Sequence, residues 1–120
     1  MKLVSKNNPM RHYQWGDGCD GWVLVDTAAL SVKQERMPPN TAETVHYHQY
    51  AQQFFFILHG TATFEVDSQS FKIAAGEGFH IKAGETHRII NEGDEDLEFV
   101  LSSQPSTNND RYPSQTPSAP

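Results

Sequence analysis

Three histidines in this chain have the residue type and the spacing that a metal site requires. His46 and His48 lie two residues apart in an extended, β-prone stretch, and His87 follows much later in the chain. Because a β-strand points alternate side chains to one face, both imidazoles of the pair should face the same way. Chelation of a single ion needs that arrangement, and the fold must then bring His87 to the pair.

Gln53 is the candidate fourth ligand. It begins the next β-prone run, after the short loop of residues 49–52, and we expect the chain to return antiparallel there, with the Gln53 amide across from the histidine pair. Three imidazoles and one amide oxygen suit Fe(II), Ni(II), Co(II), Mn(II), Cu(II) or Zn(II). An octahedral ion held this way would keep two positions open for water or a small molecule.

The elements that must position these residues are short β-prone runs separated by turn signals, and no apolar stripe keeps a helical period. Many short strands at close spacing predict an all-β sandwich or barrel. Asp67-Ser68-Gln69 is typical of a hairpin turn. The predicted strands are 22–26, 30–37, 44–50, 53–59, 61–67, 70–74, 79–82, 87–91 and 97–101.

Composition divides the chain into three parts. Residues 1–21 end in a stretch rich in Gly and Asp and are expected to form an N-terminal arm, followed by a β-barrel domain over residues 22–101. Residues 102–120 consist mainly of Ser, Pro, Asn, Gln and Thr, which cannot bury enough surface to offset the ordering entropy. We predict an extended tail there, with order near Asp110-Arg111-Tyr112 if that segment packs on the barrel.

The overall composition excludes several classes of protein. The 120-residue chain has the length of one domain and a formal charge of −6, which argues against a nucleic-acid partner. No apolar run approaches the roughly 20 residues of a membrane span, so no membrane partner is expected. Cys19 is the single cysteine, so no internal disulfide can form, and no secretory signal is visible. These features together predict a cytoplasmic protein.

The run Phe54-Phe55-Phe56-Ile57-Leu58 is apolar on both faces of its predicted strand. One face should fill the core, and the other must be covered. A second subunit, the N-terminal arm or the chain's own second sheet could cover it. We favour a homodimer.

Other chemically active side chains carry weaker signals. His59 shares strand parity with Gln53 and is a tentative catalytic residue, although a structural role is the more usual one. Arg36 could clamp a substrate carboxylate, but an ion pair with Glu35, Glu43 or an acid of a neighbouring subunit explains it more simply. Tyr13, Trp15 and Trp22 suit either ligand binding or packing of the arm on a subunit.

The spacing of these residues resembles the two motifs of the cupin superfamily, in its small single-domain form. The resemblance implies a jelly-roll β-barrel, also called a double-stranded β-helix, with a metal inside and often a dimer. The first motif matches with Asn40 in its leading glycine position, followed by His46, His48, Gln53 and Gly60. The second matches with Gly76, Lys82 in its proline position, Gly84, His87 and Asn91.

Gln53 stands where the cupin motif has a glutamate ligand. A neutral glutamine leaves the full +2 charge on the metal and removes a carboxylate that could act as a base. We predict a metal-binding cupin that binds or acts on a small polar organic molecule, with a dioxygenase-type metalloenzyme as the preferred function. A non-redox isomerase or lyase, a non-catalytic module that binds a sugar or small acid, and a cupin that has lost its metal are the alternatives.

Overall fold

The computed structural model describes residues 1–113, and that part of the chain contains no helix capable of spanning a bilayer. Its regular elements are strands. Their bounds are β1 Arg11–Trp15, β2 Cys19–Asp26, β3 Ser31–Met37, β4 Thr41–Ala42, β5 His46–Tyr47, β6 Gln52–His59, β7 Thr61–Val66, β8 Gln69–Ala74, β9 Gly78–Ile81, β10 His87–Asn91, β11 Leu97–Gln104 and β12 Tyr112–Pro113.

The strands form two antiparallel sheets packed face to face. The first has the order β1-β2-β3-β11-β6-β9 and the second the order β12-β5-β10-β7-β8, with β4 also paired to β10. Neighbours within each sheet are mostly distant in sequence, because the chain passes repeatedly from one sheet to the other. This is the architecture of a double-stranded β-helix, and it confirms the all-β jelly-roll barrel expected from the sequence.

Alternating burial explains why the two sheets pack together. In β6 the side chains of Gln53, Phe55 and Ile57 are buried, while Phe54 and Phe56 between them face outward. Phe55 meets Phe64 of the second sheet edge-on, with 4.9 Å between the ring centroids. Full burial of such a side chain contributes about 1.5–3 kcal/mol, so this inner face holds the barrel closed.

Two turns expected from residue type take the left-handed backbone conformation. Asp67 and Ser68 have φ angles of 49° and 70° and connect β7 to β8, which confirms the predicted hairpin turn. Asn40, in the position of a motif glycine, has a φ angle of 61°. Asparagine is among the few non-glycine residues that adopt this conformation readily, so the substitution keeps the turn.

The ends of the chain contribute strands to the barrel. β1 pairs with β2 across a turn in which Gly16 and Gly18 have positive φ angles, and β12 pairs with β5. The expected boundary between arm and barrel, at residues 21 and 22, falls inside β2. The expected boundary between barrel and tail, at residues 101 and 102, falls inside β11. Residues 114–120 of the expected tail lie outside the described residues.

The connection between β5 and β6 differs from the expected antiparallel return. β5 pairs with β10 and β12, whereas β6 pairs with β11 and β9. The connection of residues 48–51 therefore carries the chain from the second sheet to the first. As a result Gln53 approaches the histidines from the opposite wall of the barrel.

Candidate metal centre

The structure brings His46, His48 and His87 together inside the barrel. His46 and His87 are directly paired residues of β5 and β10, and His48 follows the end of β5. Their ring centroids lie 4.5 to 5.6 Å apart, and one nitrogen from each ring lies within 4.8 Å of the other two. Each residue is at most 3% exposed. The three imidazoles thus converge on one enclosed point.

Backbone carbonyls fix the orientation of all three rings. The Nδ1 atom of His46 lies 2.7 Å from the carbonyl oxygen of Thr44, and that of His87 lies 2.8 Å from the carbonyl oxygen of Glu85. His48 Nδ1 lies 2.5 Å from the carbonyl oxygen of Asp110. Because a carbonyl oxygen only accepts, each Nδ1 must carry the proton and donate it. Each Nε2 is then left with a free lone pair, which is the form that binds a metal.

Gln53 contributes a fourth acceptor atom, Oε1, to the point where the three imidazoles converge. Its Nε2 donates to Ser103 Oγ at 3.1 Å, which leaves Oε1 pointing into the cluster, 3.2 Å from His87 Nε2. His48 Nε2 is buried and has no hydrogen-bond partner among residues 1–113. Facing lone pairs without a donor between them repel one another, and a shared cation removes that repulsion. The donor set therefore fits a divalent transition metal.

Burial keeps these imidazoles uncharged. It lowers the pKa of His46 to about 3 and also lowers the pKa of His48 and of His87 below the usual range. All three rings are therefore neutral at pH 7. Their lone pairs are available to a metal without prior loss of a proton.

Asp110 connects the segment after β11 to the centre. Its carboxylate accepts hydrogen bonds from the backbone N–H groups of Gln49, Tyr50 and Ala51 at 2.7 to 3.0 Å, and its own carbonyl accepts the His48 proton. Burial acts to raise the pKa of this carboxyl group, but the amide hydrogen bonds outweigh it and hold the pKa below the usual range. Asp110 thereby ties down the loop that links His48 to Gln53.

A cavity of about 380 Å³ adjoins the candidate metal centre. His46, His48 and Gln53 form part of its wall, and Tyr13 donates a hydrogen bond to Glu35 within it. Burial raises the pKa of Glu35, and burial together with Glu35 raises that of Tyr13. The other lining residues are Trp15, Gly16, Lys33, Ala42, Glu43, Thr44, Phe55, Leu101, Thr107 and Arg111.

Glu43 faces the histidines from inside this cavity. Its Oε1 lies 4.0 Å from His46 Nε2, and its side chain is 14% exposed. Burial raises the pKa of Glu43 to about 8. Arg111 lies beside it, with Nη1 3.9 Å from Glu43 Oε2 and Nη2 donating to Thr44 Oγ1 at 3.2 Å. The cavity thus contains a carboxyl group and a guanidinium close to the centre.

The two tentative candidates, His59 and Arg36, do not line this cavity. His59 has the strand parity of Gln53, but it ends β6, its side chain is 58% exposed, and its Nδ1 lies 2.9 Å from the Asp96 carbonyl oxygen. Arg36 forms ion pairs with Asp20 at 2.6 Å and Asp96 at 3.2 Å. Its guanidinium is engaged by acids of the protein itself, but these are Asp20 and Asp96 and not the expected Glu35 or Glu43.

Sequence reasoning did not identify Glu43, Glu35, Asp110 or Arg111 as residues of the site. A weak signal existed for Glu35, because it alternates with Lys33 along β3 and both line the cavity. Asp110 and Arg111 lie in a stretch with a composition typical of disorder. The sequence predicted order near them if the segment packs on the barrel, but not a place in the site. Of the three aromatic residues that suit either ligand binding or packing of the arm, Tyr13 and Trp15 line the cavity and Trp22 does not. A ligand-binding role for Tyr13 and Trp15 stays a prediction.

Comparison with protein families matches residues 33–103 to the family described as the cupin domain. The match covers more than half of the chain and includes all four acceptors of the centre. Asp110 and Arg111 lie beyond its end.

Two relatives share about a third of the aligned residues. A polyketide synthase from Streptomyces cyaneus, CurC, is 30% identical over 69 residues, which is 58% of this chain and 45% of that protein. An oxalate-binding protein from Thermotoga maritima is 32% identical over 65 residues, which is 54% of each. The chain spans about half the length of these relatives.

Solved structures show the same fold. The crystal structure of a predicted oxalate decarboxylase from Thermotoga maritima superposes with a TM-score of 0.77 and 23% identity. The superposition covers 88% of this chain and 100% of the other. A likeness at this level of identity shows the fold alone.

Proposed function

The chain belongs to the cupin family, and on that premise we propose that it is a metal-dependent protein that acts on a small organic acid inside the barrel. His46, His48, His87 and Gln53 hold the metal. The proposed reaction class is a dioxygenation. The relative described as an oxalate-binding protein supports a small acid as the ligand class.

One observation carries the proposal: four acceptor atoms converge with no donor among them. Each histidine donates its Nδ1 proton to a backbone carbonyl, and Gln53 Nε2 donates a hydrogen bond to Ser103 Oγ. A cluster kept only for packing would gain by pairing these acceptors with donors, because an unsatisfied buried polar atom costs about 1–3 kcal/mol. The buried His48 Nε2, which has no partner among residues 1–113, and the acceptors beside it are explained by a cation that binds them.

The protein's own residues define what a bound ion would meet. A divalent metal here would supply Lewis acidity and, if it is redox-active, a path for electrons. The donor set is neutral, so the site keeps a +2 charge that favours an anionic ligand. The aromatic rings of Trp15 and Phe55 line the cavity beside these polar groups. A ligand that enters the cavity would replace its contacts with bulk water by contacts with these fixed polar groups.

A second function, a non-redox isomerase or lyase, is favoured by Glu43. Such a reaction needs a group that transfers a proton, and Gln53 cannot do so. Glu43 offers a carboxyl group inside the cavity, with Oε1 4.0 Å from His46 Nε2. General acid–base catalysis requires this kind of group within reach of the substrate.

Metal analysis combined with oxygen uptake separates these functions. Protein purified without chelator should carry a redox-active metal and should consume oxygen with one of a panel of hydroxy acids, keto acids and enolates. Zinc or nickel with product formation but no oxygen uptake would indicate the isomerase or lyase. Metal and ligand binding without turnover would indicate a binding module. A folded protein that takes up no metal would contradict the proposal.

We also propose that the chain forms a homodimer through the outer face of its first sheet. Phe54, Phe56 and Leu58 are 39–45% exposed there, next to Val100 of β11. The N-terminal residues do not cover this strip, because Lys6 instead contacts Glu98 and the Trp22 ring. The centre of the face is uncharged, so a second copy related by two-fold symmetry could pack its own strip against it.

Phe56→Asp should convert this dimer into a monomer. The change places a charge in the middle of the apolar strip, where desolvating it would cost several kcal/mol in the dimer. Sedimentation velocity should show the wild type as a dimer and the variant as a monomer. Phe71→Asp is the matched control, since Phe71 is 38% exposed on the other sheet and should leave the dimer intact. Dimers of unchanged stability in Phe56→Asp would contradict this interface.

A further inference from the structure

The segment of residues 105–113 lies beyond the cupin match and contributes Thr107 and Arg111 to the lining of the cavity. Asp110 is held by three backbone N–H groups of the loop after His48. Tyr112 stacks on Tyr47 with 5.3 Å between ring centroids and pairs with β5. The residue between these two anchors is Arg111, so its backbone is fixed on both sides.

Arg111 lies next to the residues that orient His46 and His48. Its Nη2 donates to Thr44 Oγ1, and the carbonyl of Thr44 orients His46. The preceding residue, Asp110, supplies the carbonyl that orients His48. The guanidinium is bound to the described residues only by the Thr44 hydrogen bond and the 3.9 Å approach to Glu43. Donor N–H groups of Arg111 therefore remain for a ligand.

Glu43 shows how short the gap is between Arg111 and the centre. One carboxyl oxygen of Glu43 lies 4.0 Å from His46 Nε2, and the other lies 3.9 Å from Arg111 Nη1. The Glu43 carboxyl group lies in the space between them, about 4 Å from each, and a ligand of three or four carbons that enters this space would reach both ends. The other cation of the cavity, Lys33, stands on β3 with its Nζ 5.6 Å from the centre of the Tyr13 ring.

We propose that Arg111 selects ligands with two acidic groups, one bound at the four-acceptor centre and the other, a carboxylate, bound by the Arg111 guanidinium. The ligand class is a short hydroxy or keto dicarboxylate. Guanidinium and carboxylate match as planar, charge-assisted partners, and the pairing fixes the orientation of the ligand. This inference rests on the proposed function, because it assumes a metal at the centre.

Calorimetry on the full chain loaded with zinc tests the assignment. Glycolate and malate share an α-hydroxy carboxylate, and malate adds a second carboxylate. The wild type should bind malate at least about tenfold more tightly than glycolate, as expected for one charge-assisted contact. In Arg111→Gln most of that preference should disappear, while the zinc affinity stays within about twofold. Arg111→Lys should restore part of the preference for malate.

Lys33→Gln is the matched control, because it removes the same charge from another wall of the same cavity. It should retain the preference for malate. If Lys33→Gln and Arg111→Gln lost the preference for malate equally, the preference would reflect the total positive charge of the cavity, and the assignment would be overturned. A wild type that binds malate and glycolate equally would also overturn it. Malate with its second carboxylate converted to an amide should bind the wild type like glycolate, which tests the contact without any variant. A wild type that binds no zinc would overturn the proposed function as well, and this would be seen before any acid is added.

Discussion

His48→Ala is expected to lower the affinity for a divalent metal by at least about a hundredfold while the barrel stays folded. The substitution removes one of four converging ligand atoms, and His48 Nε2 is the buried one that has no other partner among residues 1–113. Folding should survive, because the ring belongs to the polar end of the barrel and not to the apolar cluster around Phe55 and Phe99. Metal titration with a competing chelator measures the affinity, and far-UV circular dichroism checks the fold.

His59→Ala provides the matched histidine control. His59 lies outside the cavity with a side chain that is 58% exposed, so its loss should leave metal affinity within about twofold of the wild type. Equal metal affinity in His48→Ala and the wild type would contradict the assignment of the centre. A drop in turnover of His59→Ala at full metal content would instead support the tentative catalytic role given to His59.

The strands of the barrel could be predicted because their inward faces alternate so regularly. β6 and β11 bury every second residue, and the turn residues between strands have the types that a left-handed backbone favours. The short outer strands could not be found in this way. β1, β4 and β12 have little or no buried apolar face, and they form because a neighbouring strand offers unpaired backbone groups.

The convergence of the three histidines could also be predicted, since the parity of His46 and His48 and their spacing to Gly60 and Gly84 can be read from the sequence. The residues that surround the candidate centre could not. Asp110 and Arg111 reach the centre only through contacts with residues about sixty positions earlier in the chain. Glu43 faces inward because β4 and the segment after it turn into the barrel, which no periodicity in the sequence reveals.

The acceptors of the candidate centre are neutral, and acidic residues lie near them in the same cavity. Gln53 removes the charge that a glutamate would place beside the metal, yet Glu35 and Glu43 remain in the same cavity. Burial raises the pKa of both, which works against their negative charge at neutral pH. Lys33 and Arg111 line the same cavity and act in the opposite direction on the pKa of Glu35. The charge of the acidic residues therefore depends on burial and on these two cations together.

Asp110→Ala is expected to destabilise the protein by about 3 kcal/mol or more. The carboxylate accepts three backbone hydrogen bonds from residues 49–51, and its removal takes this partner from the buried N–H group of Ala51 and from two partly buried N–H groups. Each hydrogen bond to a charged group contributes about 1.5–3 kcal/mol, and the losses are not fully additive. Urea unfolding of the metal-free protein measures the free energy of unfolding directly.

The same substitution should also weaken metal binding, because the loop of residues 49–51 joins His48 to Gln53 and the Asp110 carbonyl orients the His48 ring. Asp110→Asn keeps one acceptor oxygen and places a donor against the remaining amides, so its stability should fall between the wild type and Asp110→Ala. Asp94→Ala, an exposed aspartate in the turn before β11, should change stability by less than about 0.5 kcal/mol. If Asp110→Ala unfolds at the urea concentration of Asp94→Ala, the segment after β11 is not what holds the ligand loop. The geometry of the centre would then have to be maintained by the two sheets alone.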